Sequence, residues 1–159
     1  MRNIIKNGQV TADEWLLVRE DEGLWPAQDV IVPLEAWLSA RLAHPHRAAP
    51  WLAPDTDMAI LLPHLADASL IAIDFPAFTD GRGYSLARLL RERYGYSGEL
   101  RAIGDVLQDQ LYYLHQSGFD SFAIREDRDA AQALAALQDF SDGYQVSWRR
   151  AEPLFKRIF

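Results

Sequence analysis

The chain has 159 residues, 49% of them hydrophobic and 11% aromatic, which suffices for a packed core in one domain. Its formal net charge of −7 would repel a phosphate backbone, so nucleic acid is set aside as a partner. Cysteine is absent, which excludes disulfides, thiolate-held zinc, iron–sulfur ligation and a thiol nucleophile within the chain.

In chain order, Met1 to Gly8 lacks an apolar core of signal-peptide length, and no apolar run is long enough to span a bilayer. A cytoplasmic protein without membrane contact is expected. Ile4-Ile5-Lys6-Asn7-Gly8-Gln9-Val10 carries the Asn-Gly hairpin signal, and Trp15 to Val18 reads as a further strand nearby. Residues 1–28 are therefore expected to form an amino-terminal β appendage. Asp29 to Val32 reads as a strand, and Pro33-Leu34-Glu35 opens a helix to about Ala43. His44 and His46 flank Pro45 in an evident loop with no third ligand close in sequence, so no metal site is assigned. Pro50 to Ala53 is a short strand, followed by a helix that Asp55 can cap and that Pro63 interrupts.

Leu70 to Ile73 is too short for a helix and suits a buried strand, which Asp74 ends. A loop rich in glycine and charge, Asp80-Gly81-Arg82-Gly83-Tyr84-Ser85, then leads into a helix whose apolar face is Leu86, Leu89, Leu90 and Tyr94. Free N–H groups at a helix start, with Arg82 beside them, fit an anion, although neither a dinucleotide fingerprint nor a P-loop is present. The competing reading is a plain turn, with Gly83 at positive φ and Ser85 or Thr79 as cap. Leu100 to Ile103 is the next strand. Asp105 and Gln108 fit a capping box before a helix with Leu107, Leu111 and Leu114 on its buried face. A last core strand ends near Arg125, Asp127 caps an alanine-rich helix, and residues 140–159 form an aromatic and basic tail. His64 and His115 sit near helix ends, where the dipole suits them. Of the adjacent Tyr112 and Tyr113, one belongs to the core and one to the rim.

Strands centred near Ile31, Leu52, Ala72, Ala102 and Ala123 are each followed by a helix, so residues 29–139 form a repeated βα core. The fold class is α/β with a mainly parallel sheet, either open and doubly wound, the favoured form, or half-barrel-like. In the half-barrel the open side is covered by the amino-terminal hairpin or a second subunit. Ligands bind at the carboxyl ends of such strands, where Asp74, Arg82, Asp105 and Arg125 are expected to converge. Asp74, Asp80 and Asp105 are candidate bases or magnesium ligands. Gly81, Arg82, Gly83, Tyr84, Ser85 and Arg125 are candidate ligand-binding residues. Arg82, Arg88, Arg91, Arg93 and Arg101 make a locally basic stretch, read as a solvated helix face with Glu92 and Glu99 interspersed.

Several runs carry a resemblance: Val32-Pro33-Leu34-Glu35, Trp51 to Asp55, Ile73 to Ser85, Arg93-Tyr94-Gly95, Gly98 to Leu107 and Gly118-Phe119-Asp120. Together, over about Asp29 to Tyr144, they resemble a bacterial domain of unknown function, family 934. The resemblance implies an accessory protein or oxidoreductase component of assimilatory sulfite reduction, with sulfite reductase or another sulfur-assimilation protein as partner. It supplies no catalytic residues. Without cysteine, a flavin fingerprint or a nicotinamide fingerprint, no cofactor is assigned. The alternatives are a small enzyme acting on an anionic substrate at the strand ends, and a structural homo-oligomer.

Overall fold

A computed structural model describes residues 2–20 and 23–140; the aromatic tail expected beyond them lies outside the described residues. Eight strands form one sheet: β1 (Asn3–Lys6), β2 (Gln9–Ala12), β3 (Leu16–Leu17), β4 (Val30–Pro33), β5 (Ala48–Leu52), β6 (Leu70–Phe75), β7 (Glu99–Gly104) and β8 (Ser121–Phe122). Their order is β2-β1-β8-β7-β6-β5-β4-β3. The β1–β2 hairpin is antiparallel, with Asn7 and Gly8 both at positive φ in its turn, and β1 runs antiparallel to β8. Every pairing from β3 through β8 is parallel.

From β3 to β8 each strand lies beside its sequence neighbour, so the order never reverses. A doubly wound sheet needs a reversal; with right-handed crossovers throughout, this order puts all helices on one face. The favoured open doubly wound form therefore gives way to a curled half-barrel. The curl has a simple proof in chain length. β2 and β3 occupy opposite edges of the sheet, yet only Asp13, Glu14 and Trp15 separate them. Four Cα steps reach at most about 14 Å, whereas eight flat strands would span about 33 Å. The edges must curl toward each other, and residues 13–15 strap the gap. The covering of the open side thus comes from the segment after the hairpin, and β3 pairs at the edge remote from the hairpin.

Period-two alternation divides the two faces. Val30, Val32, Leu52, Ile71, Ile73, Phe75, Leu100, Ala102 and Phe122 join the helices α1 (Leu34–Ala40), α2 (Met58–Leu61), α3 (Arg82–Arg88), α4 (Leu111–Ser117) and α5 (Ala130–Phe140) in the main core. The concave face carries Ile4, Ile31, Ala49, Leu70, Ala72, Ile103 and Ala123, covered by Trp15 from the strap. Small residues at 49, 72 and 123 leave room inside the curl for one long side chain. Arg101 fills it, 2% exposed, with Asp13 at 2.7 Å, Glu99 at 3.1 Å and Ser121 Oγ at 3.1 Å.

Several local details depart from expectation. Asp74 lies within β6 rather than ending it, and its parity puts it on the concave face. Asp57, not Asp55, caps α2, accepting from the Ala59 N–H at 3.0 Å. Asp129, not Asp127, accepts from the Ala131 N–H at the start of α5. The cap expected from Asp105 and Gln108 is made by Gln110, whose Oε1 accepts from the Leu107 N–H at 2.9 Å. The basic stretch is dispersed: Arg82, Arg88 and Arg93 are exposed, whereas Arg91 and Arg101 are buried structural groups. A π-turn over Leu89–Arg93 follows α3 and turns Arg91 under the amino ends of the strands. There its guanidinium donates to the carbonyls of Tyr96, Gly98 and Gly118 at 2.8–3.0 Å and to Asp120 at 2.5 Å. Tyr112 is in the core and Tyr113 at the rim, as their adjacency requires.

Candidate functional site at the carboxyl ends of the strands

The curled sheet leaves a cavity of about 830 Å³ at its carboxyl mouth. Its walls come from the strap and β3 on one side, with Trp15, Leu16 and Arg19, and from the loops after β7 and β8 on the other, with Gly104 and Arg125. Each of those loops begins where a parallel strand stops pairing, which is why polar side chains gather there.

Arg125 is clamped between two carboxylates. Its Nε and Nη2 donate to Asp127 at 2.7 Å each, and its Nη1 donates to Asp105 at 2.9 Å. The other oxygen of Asp105 accepts from the Phe78 N–H at 2.9 Å, which ties the loop after β6 to the loop after β7. These hydrogen bonds to Arg125 push Asp127 down to about 2 and hold Asp105 below the usual carboxylate range. Arg125 is raised in turn, chiefly by Asp127 and Asp105.

Asp74 lies on the concave side of β6, beside Arg19 and Gly104, and does not itself line the cavity. Its Oδ1 is buried and lies 2.9 Å from Arg19 Nη1, a close ionic contact whose alignment does not make a hydrogen bond. Gly104 makes room for this carboxylate: its φ is +93°, and a Cβ there would fall 2.5 Å from Asp74 Oδ1 and from the Phe75 carbonyl. Glycine is required on both counts. Arg19 is set by its neighbours, since the Trp51 indole N–H donates to the Val18 carbonyl at 3.0 Å and the guanidinium sits 5.3 Å from the Trp51 ring centre. Only Nη1 of Arg19 meets an acceptor among the described residues. Its Nε and Nη2, the pair of donors spaced for a two-oxygen anion, are unoccupied there.

The loop of residues 80–85 behaves differently. The Asp80 carboxylate accepts from the Arg82 backbone N–H at 3.0 Å and from the Arg82 guanidinium at 2.8 and 3.1 Å. The chain's own carboxylate, lowered by Arg82, thus occupies the place where an external anion was expected. Gly81 is at negative φ and its Cβ position is open. Gly83 has no positive φ either; a Cβ there would strike the Phe75 ring at 2.5 Å, so glycine serves close helix–strand packing. Tyr84 packs edge-on against Phe75, burial raises its phenol, and Ser85 is exposed without a capping role. None of residues 81–85 lines the cavity.

Of the four residues expected to converge, Asp105 and Arg125 meet directly and Asp74 stands beside Gly104 at the head of their loop. Arg82 turns away to Asp80. Sequence reasoning missed Arg19 and the strap, because Arg19 and Asp74 are 55 positions apart and no periodicity links them. The one available signal was the parity of β6, which points Asp74 inward if the strand is extended by two residues.

The family model for a bacterial protein of unknown function (DUF934) matches residues 49–155, more than half of the chain. The match contains Asp74, Gly104, Asp105 and Arg125, while Trp15 and Arg19 precede it. No curated protein matches the chain.

Proposed function

Because the chain belongs to this bacterial family of unknown function, its chemistry has to be read from its own mouth, and we propose that it binds an oxyanion there. Arg19 is the anchoring group. The observation that carries this reading is the Arg19 donor pair, which lacks an acceptor among the described residues while every donor nitrogen of Arg125 is engaged. A guanidinium fork at a cavity wall suits sulfite, sulfate, phosphate or carboxylate oxygens held bidentately. The resemblance to a sulfite-reduction family makes sulfur oxyanions the first ligands to try, and an accessory role beside sulfite reductase the biological setting we propose.

The test is the melting temperature of the full chain with sulfite, sulfate and phosphate at constant ionic strength. An anion at a hundred times its dissociation constant adds about 2.7 kcal/mol, or about 5–10 °C for a chain of this size. The shift should vanish in Arg19→Gln and persist in Arg82→Ala. Dependence on Arg82 instead would return the site to residues 80–85. Co-purification with sulfite reductase at low salt tests the accessory role, and its absence there would count against it.

An enzymatic reading has one observation in its favour: a buried Asp74 oxygen without an aligned donor lies beside the same arginine. A carboxylate so placed can move a proton to or from a ligand bound at Arg19. Asp74→Asn would then abolish turnover while leaving ligand binding in place.

A further inference from the structure

Resting on the reading of Arg19 as the oxyanion anchor, we infer that Arg101 and Asp13 are positioning residues for that site. Their contact inside the curl sets where the strap lies, and through the strap it sets where Arg19 stands. Neither residue has to touch the ligand for this.

Arg101 is the fixed post. It is 2% exposed, and its Nη1 donates to Asp13 Oδ1 at 2.7 Å. Glu99 and Ser121 Oγ accept from its other nitrogens at 3.1 Å each, so the guanidinium is held by β7 and β8 independently of the strap. A buried ion pair adds little stability over an apolar side chain of similar volume. What it supplies is one defined partner. An apolar residue at 101 would fill the room left by Ala49, Ala72 and Ala123 without holding the strap in one register.

Asp13 passes that position on. The oxygen that meets Arg101 also accepts from the Trp15 backbone N–H at 3.0 Å, which fixes the turn of the strap. The other restraints near it are weaker in direction. Trp15 packs on the concave face by apolar contact, which is non-directional, and the Glu14–Arg47 pair at 3.6 Å is exposed. β3 pairs with β4 over two residues only, Leu16 with Val30 and Leu17 with Ile31. The Trp51 indole then holds the Val18 carbonyl, so the segment that carries Arg19 is tied at two points and Asp13 is the first. Arg19 lies six positions after Asp13.

Charge gives the inference a sign. Asp13 itself lines the cavity, so as a negative charge alone it repels an oxyanion, and its removal would strengthen binding. As the tie of the strap it has the opposite effect, and its removal weakens binding.

Titration calorimetry on the full chain tests this with inorganic phosphate and sulfate, at a temperature where circular dichroism shows each variant folded. Asp13→Ala should lose about tenfold or more in affinity, because the anchor is no longer placed. Asp13→Asn, which keeps the acceptor and loses the charge, should recover most of that loss. Arg101→Leu fills the volume without donating and should match Asp13→Ala, and the double variant should fall no further than either single one, since both act through one contact. Arg91→Lys, at the opposite end of the sheet, is the destabilised control and should bind as wild type does. Unchanged or tighter binding in Asp13→Ala would overturn the inference, and so would an Asp13→Asn variant no better than alanine. An equal loss in Arg91→Lys would overturn it as well, by showing that lowered stability alone weakens the site. The two Asp13 variants and this control decide the matter even where Arg101→Leu does not fold. In each of these cases, binding that is still abolished by Arg19→Gln leaves the oxyanion site standing. If wild-type protein binds neither anion, the inference and the oxyanion reading fall together.

Discussion

Arg91 and Arg19 lie at opposite ends of one parallel sheet and differ in how fully their donors are used. Arg91, beneath the amino ends of the strands, is 5% exposed and spends its guanidinium on three backbone carbonyls and Asp120. Arg19, at the carboxyl mouth, is 43% exposed and meets one carboxylate oxygen. Both are single arginines in sequence, and nothing in the residue type separates them. The number of internal acceptors does: a saturated guanidinium is a structural clamp, and one with a spare fork is available to a ligand.

The largest expected effect breaks the clamp. Arg91→Ala leaves several carbonyls and Asp120 without their donors, and should cost about 3–5 kcal/mol in denaturant unfolding. Arg91→Lys should recover only a fraction, since a point charge cannot serve four separated acceptors. A loss under about 1 kcal/mol for the alanine variant would undo the contrast. Gly104→Ala should come next, at about 2 kcal/mol or more, because it combines a left-handed φ with overlap against Asp74 and the Phe75 carbonyl. It should also weaken anion binding by moving Asp74 and Arg19 together.

Arg19→Gln should lower stability by no more than about 1 kcal/mol, as befits a half-exposed ion pair. It should nonetheless remove the anion-induced shift in melting temperature. An equal loss of stability in the Arg19 and Arg91 variants would show that both are clamps.

The smallest effect is in pH. Asp127 and Asp105 have folded values below their unfolded ones, so their contribution is fully present above about pH 4 and is lost on acidification, for Asp127 as pH falls toward 2. Asp127→Asn should flatten part of that acid limb and leave pH 5–8 unchanged. Tyr96 gives the opposite limb. Burial raises its phenol, whose O–H donates to the Ala68 carbonyl at 2.7 Å. Stability from that group is therefore present below about pH 10 and lost above it, and Tyr96→Phe should reduce the alkaline slope.

Much of the fold was legible because its signals are local. The Asn7-Gly8 turn, the alternation of short apolar strands with helices, and the core faces of α3 and α4 follow from backbone preference and period, which operate within a few residues. Those same signals cover Asp105, which directly follows β7, and Arg125, which lies three residues past β8. Long-range choices were not legible. Whether the sheet winds in one sense or two depends on which face each crossover takes, and the three-residue strap that demands the curl pairs edges that no periodic pattern connects.

The candidate site divides in the same way. Residues 80–85 look like an anion loop in one dimension, but Asp80, two positions from Arg82, folds back and satisfies the donors first. Sequence alone determined an acidic, cysteine-free chain of alternating strands and helices, with charged residues gathered where the strands end. Only tertiary structure decided which arginines are saturated and which keep a fork without an acceptor among the described residues, because acceptors such as Gly118 and Asp120 for Arg91 come from loops nearly thirty residues away.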